Sequence, residues 1–166
     1  MTHTETISIS YSLIRSKVLT ALSVLGKRNP SKEQPAFTTI QVSTAEEPLL
    51  SQYIKNAAHN VLSRIPKLIH NLTEDDETVK FDITNTRWDT AQQDSFASSF
   101  SFSVIGFCVA AATSDYLALV LPEQAKAYAA NAESIMQDII SLCYYKQPSE
   151  STSNYLTSVS TSVSNS

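Results

Sequence analysis

The stretch from Leu121 to Pro148 constrains this chain more than any other. It reads LPEQAKAYAANAESIMQDIISLCYYKQP, with Pro122 placed to open a helix and Pro148 placed to stop one. Tyr128, Ala132, Ile135, Ile139 and Leu142 recur at helical spacing and form one apolar stripe. Such a stripe needs other elements to cover it, so a packed helical domain is expected. No catalytic cluster lies in or near this segment.

The rest of the chain repeats the theme. Residues 1–10 alternate around Ile7 and Ile9, which predicts a short edge strand or an extended arm. Leu13, Ile14, Val18, Leu22 and Leu25 predict a helix over 11–25, with Gly26 as its C-terminal cap. A loop with Pro30 and Pro35 leads to a brief strand over 37–42. Ser43, Thr44, Ala45 and Glu46 form a capping-box pattern for a second helix, with Tyr53, Ala57, Val61 and Ile65 inward. Pro66 kinks or ends that helix, and 67–70 extend it by a turn.

An acidic loop, Glu74-Asp75-Asp76-Glu77, precedes a strand over 78–84 with Val79, Phe81 and Ile83 on one face. A long third helix begins near Asp89 or Thr90 and ends near Leu119. Its stripe is Phe96, Phe100, Ser103/Val104, Phe107 and Ala110/Ala111. The expected fold class is mainly α with minor β, an α+β arrangement. It is a four-helix bundle-like domain with two or three short strands and extended termini. The chain divides into an N-terminal arm (1–10), a helical domain (11–146) and a Ser/Thr-rich tail (147–166).

Composition excludes several classes. A chain of 166 residues fits one domain, and only two glycines disfavour phosphate-cradling loops. No Walker, dinucleotide or nucleophile-elbow pattern occurs. His3, His59 and His70 lack metal-ligand spacing, and Asp75/Asp76 lack the glycine of a calcium loop. Cys108 and Cys143 sit in apolar helical patterns and read as small buried hydrophobes. No enzyme, cofactor or metal is expected. The opening residues lack a signal-peptide pattern, which points to a reducing cytoplasm. The apolar run over 102–121 raises a membrane span, but Asp115 inside it favours a core helix and no membrane partner.

The net charge of −4 is unevenly spread. Residues 1–68 hold eight bases and four acids, giving +4; residues 69–166 hold four bases and twelve acids, giving −8. One reading is chance plus a solvated acidic loop. The other is a polar subunit whose basic end meets a neighbour's acidic end. Trp88, the only tryptophan, either packs under the turn or anchors a subunit contact. Arg87 is a candidate partner for Glu74, Asp75, Asp76 and Glu77 across subunits.

Eleven of the last eighteen residues are Ser or Thr, a composition that forms no core alone. Yet Tyr155, Thr157, Val159, Thr161 and Val163 alternate at strand period. Tyr155, Val159 and Val163 thereby become candidates for strand addition to another subunit or partner.

Four strings carry a resemblance: LTALSVLGKR, VSTAEEPLLSQYIKNAA, ITNTRW and the closing LPEQAKAYAANAESIMQDIISLCYYKQP. Over residues 7–148 the chain resembles neck proteins from tailed bacteriophages of gut Bacteroidetes, small helix-rich head–tail connector or ring proteins. The resemblance supplies no catalytic residues. It implies a structural virion protein, a ring of twelve copies that joins the portal to the tail. Its partners would be itself, the portal protein and other neck or tail proteins. Genome DNA would meet it only by passing through, and assembly would occur in the host cytoplasm. The alternatives are a small homo-oligomeric interaction module without a virion role, and an enzyme of unrecognised kind.

Overall fold

The computed structural model describes residues 3–28, 42–85 and 90–144. Residues 37–41 of the strand expected over 37–42, Arg87, Trp88 and the tail lie outside the residues so described, and Val42 is not in a strand. Seven elements follow in order: β1 (His3–Ser10), α1 (Tyr11–Arg28), α2 (Glu47–Arg64), β2 (Ile69–Glu74), β3 (Thr78–Asn85), α3 (Thr90–Val120) and α4 (Pro122–Tyr144). The fold is mainly α with a small antiparallel sheet.

The sheet runs β1-β3-β2. Residues 3–10 are a strand rather than a free arm: Ile7 stands opposite Phe81 and Ile9 opposite Val79. Those four side chains are buried and form the inner face. The outer face is polar, with Thr6 donating to Asp82 Oδ1 at 2.7 Å and Thr4 paired with Thr84 at 3.1 Å.

β2 corrects the expectation that residues 67–70 continue the second helix. Pro66 has no amide to donate and disfavours a helical conformation at Ile65. The helix therefore stops at Arg64, and the chain turns into a strand. Ile69 pairs with Ile83 and Leu72 with Phe81, and the register shifts between Ile69 and Asn71. That bulge brings Ile69 and Leu72, three residues apart, onto one face. Glu74 is consequently the last residue of a strand, not part of a loop.

Two helix starts and stops also differ from expectation. α1 runs past Gly26 to Arg28, so Gly26 is helical and not a cap. α2 starts at Glu47 rather than just after Ser43. A start at Ser43 would place Pro48 in the second turn, where its ring clashes with the preceding carbonyl. Starting later puts Pro48 in the first turn. Residues 44–46 form a turn, closed by Glu46 N–H donating to Ser43 O at 2.9 Å. Ser43 gives its amide and hydroxyl to the Glu46 carboxylate at 2.8 and 2.7 Å, so only the reverse half of the capping box forms.

α3 is the central element and packs against α4, α2, α1 and β1. Phe96, Phe100, Val104, Phe107 and Ala110 are buried as their spacing implied, and Cys108, Ala112, Tyr116 and Leu117 join them. Residues 94–120 are long and apolar enough to cross a membrane by length and composition, although 44% of that window is buried within the fold. α4 lies antiparallel on α3. Ser114 Oγ donates to Ala125 O at 2.9 Å, and Ile135 Cδ1 lies 3.8 Å from the position a Cβ on Gly106 would take. The buried line of α4 is Ala125, Ala132, Met136, Ile139 and Cys143. Tyr128, Ile135 and Leu142 flank it, half-buried. Of the expected core, Leu22, Val61, Phe100, Phe107 and Ile139 are buried, and Ile135 is only partly so. Leu13, placed on the α1 stripe, is 44% exposed.

Candidate functional site

The polar groups gather where the tip of the β2–β3 hairpin meets the start of α1 and the middle of α2. Tyr11 opens α1 directly after β1, and its amide donates to Glu77 O at 2.9 Å. Its ring is buried. Its hydroxyl reaches across to Glu74 and donates to Oε2 at 2.8 Å. The same carboxylate oxygen lies 3.3 Å from His59 Nε2 on α2. One turn earlier on α2, Lys55 holds its Nζ 5.7 Å from the centre of the Tyr11 ring. Arg15, one turn after Tyr11, pairs with Glu47 at 2.5 Å.

Tyr11, Arg15 and Lys55 border a cleft of about 430 Å³, lined also by serines 10, 12 and 51 and the acids Asp76 and Glu77. The local sequence explains the convergence. Tyr11 and Arg15 are four apart on α1; Ser51, Lys55 and His59 are four apart on α2. Each set forms one helical face. The hairpin turn brings the acids to both.

The network favours the ionised forms of Glu74 and Asp75 and the neutral form of Tyr11. The Tyr11 hydroxyl, more than any other group, keeps the Glu74 carboxyl below the usual carboxylate range. Burial, with Glu74 alongside, pushes the Tyr11 phenol well up. Asp75 is lowered chiefly by the amides of Glu77 and Thr78, which donate to its Oδ1 at 2.8 and 2.7 Å. Asp75 is thus the side chain that closes the hairpin turn.

Of the interface candidates, Glu74 and Asp75 are engaged within their own chain. Asp76 and Glu77 are the turn acids that face the cleft. Arg87, Trp88, Tyr155, Val159 and Val163 lie outside the described residues. Tyr11, Arg15 and Lys55 were not singled out from the sequence, and His59 was weighed there only as a metal ligand. Their four-residue spacings were present there, but nothing in the chain order says that α1, α2 and the hairpin share one corner.

The cleft can bind through hydrogen bonds and charge. Among the described residues, no serine or cysteine within it bonds to a base, which nucleophilic catalysis requires. No group of three or more His, Cys, Asp or Glu among them is placed to hold a metal ion. Cys108 and Cys143 are buried free thiols, both pushed up to about 12 by that burial. Apolar surface is the other uncommitted resource: Phe102 is 80% exposed on α3, and Leu119 and Val120 are 68% and 50% exposed at its end. No protein-family model matches the chain, and no curated protein or solved structure matches it significantly.

Proposed function

We propose that this chain is a structural virion subunit that forms a ring in the neck of a tailed bacteriophage, between portal and tail. The resemblance over residues 7–148 motivates the assignment, and the observation that carries it is Phe102. At 80%, Phe102 has the greatest exposure of any large hydrophobic side chain among the described residues. It sits on a helix whose residues 95–114 contain no charged side chain. The exposed positions beside it on that helix, Ser95, Ser98 and Ser99, carry no charge, and an aromatic ring set among uncharged side chains suits burial against another protein. Glu74 and Asp75 at the hairpin, by contrast, are engaged in holding one chain together.

The test is a particle lacking this protein. The expected result is DNA-filled heads without attached tails, and complete tailed particles would overturn the assignment. In solution, Phe102→Lys should leave helix content and melting temperature unchanged, because the side chain is outside the core. The same change should abolish ring assembly. A Phe102→Lys chain that still forms full rings would remove the observation on which the reading stands.

A further inference from the structure

The cleft between α1, α2 and the β2–β3 turn has walls that are fixed by the fold itself. Tyr11 is held at both ends, its amide donating to Glu77 O and its hydroxyl to Glu74. Arg15 is held by Glu47 at 2.5 Å. Asp75 closes the turn by accepting from the amides of Glu77 and Thr78. A site whose walls are already ordered loses little entropy when it is filled.

Four lining side chains are left over from that framework. Among the described residues, Ser51, Lys55, Asp76 and Glu77 make no side-chain hydrogen bond and no ion pair. Lys55 is half-buried, and its Nζ stands 5.7 Å from the centre of the Tyr11 ring, a contact that leaves its three donors unpaired. Glu74, which Lys55 also faces electrostatically, is occupied by Tyr11 and His59. The cleft also touches buried carbon, at Ile54 and the Tyr11 ring.

These groups select by charge. With Arg15 paired to Glu47, the uncommitted charges are one cation, Lys55, and two acids, Asp76 and Glu77. A simple anion would meet the two carboxylates, and a simple cation would meet the ammonium. A molecule that carries both charges satisfies both walls at once. The volume of about 430 Å³ lies near the lower end of the range of about 300–1,000 Å³ for small-molecule sites. We propose that the cleft binds a zwitterion of dipeptide size. Its carboxylate accepts from Lys55 and from the Ser51 hydroxyl. Its ammonium donates to Asp76 and Glu77, and an apolar side chain rests on Ile54 and the Tyr11 ring. The proposal does not depend on the ring reading.

Titration of the full-length chain with glycylleucine, followed by amide NMR shifts and calorimetry, is the test. Saturable binding is expected, with the shifts confined to residues 10–15, 51–55 and 76–78. N-acetylglycylleucine lacks the ammonium and glycylleucinamide lacks the carboxylate, so each should bind more weakly by about tenfold or more. Lys55→Gln should weaken glycylleucine by a similar factor and leave the already weak glycylleucinamide unchanged. The Asp76→Asn/Glu77→Gln chain should do the same with respect to the acetylated ligand. All of these variants should keep the melting temperature, because the replaced groups make no bond within the fold. The capped ligands are compared on the unaltered chain, so that arm decides the matter even if a variant fails to fold. Absence of saturable binding at millimolar glycylleucine would overturn the proposal. So would equal binding of the free and capped dipeptides, or shifts centred away from the cleft.

Discussion

Two of the junctions between the sheet and the helices use different physics. At one, Phe81 of β3 meets Phe100 of α3 edge-on at 6.0 Å, and Phe96 stacks on Phe100 at 5.6 Å. At the other, Tyr11, Glu74 and His59 link α1, β2 and α2 through one carboxylate. The first is held by removal of carbon surface from water, which pH and salt hardly alter. The second depends on an ionised carboxylate, Glu74, that is partly open to solvent. The comparison teaches that the apolar junction supplies most of the stability, whereas the polar junction orients the hairpin and ties its stability to pH.

The comparison is exposed most directly by truncating each junction in turn. Phe100→Ala should cost about 3–5 kcal/mol, because a fully buried ring leaves a cavity against two aromatic neighbours. A loss below about 1 kcal/mol in urea unfolding would show that the aromatic contact is not the main junction. Tyr11→Phe keeps the buried ring and removes only the hydrogen bond to Glu74, so about 1–2 kcal/mol should be lost. If the two variants lose equal amounts, the proposed ranking of the junctions fails.

Two substitutions inside the apolar region should raise stability. Thr113 is fully buried on α3, and its hydroxyl has no hydrogen-bond partner. Thr113→Val replaces it with a methyl of the same shape and should gain about 1 kcal/mol, measured by denaturant midpoint. Gly106→Ala should gain roughly 0.5–1 kcal/mol in the same measurement, since helix interiors disfavour glycine. The added Cβ would lie 3.8 Å from Ile135 Cδ1, an ordinary contact. A loss in either variant would mean that α3 and α4 pack more tightly than this arrangement allows.

The smallest effect should separate the junctions by pH. The carboxyls of Glu74, Asp75 and Glu46 are all lowered in the folded chain, so each adds stability above the unfolded carboxylate pKa of about 4. That contribution is lost as pH falls through the folded values. Asp115 has the opposite sign, because burial raises it. Thermal midpoints should therefore drop between about pH 5 and about pH 3, with Asp115 offsetting part of the fall. Tyr11→Phe should show a shallower drop, because the first cause of the Glu74 shift is gone. An identical slope in wild type and variant would disconnect the polar junction from acid stability.

What was legible in the sequence was whatever depends on neighbours in the chain. The clean alternation of Val79, Phe81 and Ile83 identified β3. Pro122 opened α4 where its fixed φ and missing amide cost nothing. The aromatic spacing of α3 located its buried face. β2 was not legible, because the bulge between Ile69 and Asn71 breaks the period of two on which strand reading depends. The start of α2 was misread because the capping pattern at Ser43 competes with the steric demand of Pro48. The candidate cleft was visible only as scattered helix-face pairs.

By itself, then, the sequence determined four helices, a central strand, two buried cysteines and the absence of familiar catalytic patterns. Those properties follow from local sterics and from periodic burial, which act over a few residues. Tertiary structure alone decided that the chain's first strand lies beside β3, that Glu74 turns inward to Tyr11 and His59, and that Phe102 stays outside. Each of those joins residues tens of positions apart or depends on which helix covers which face. Only the packed arrangement of all the elements chooses between the alternatives.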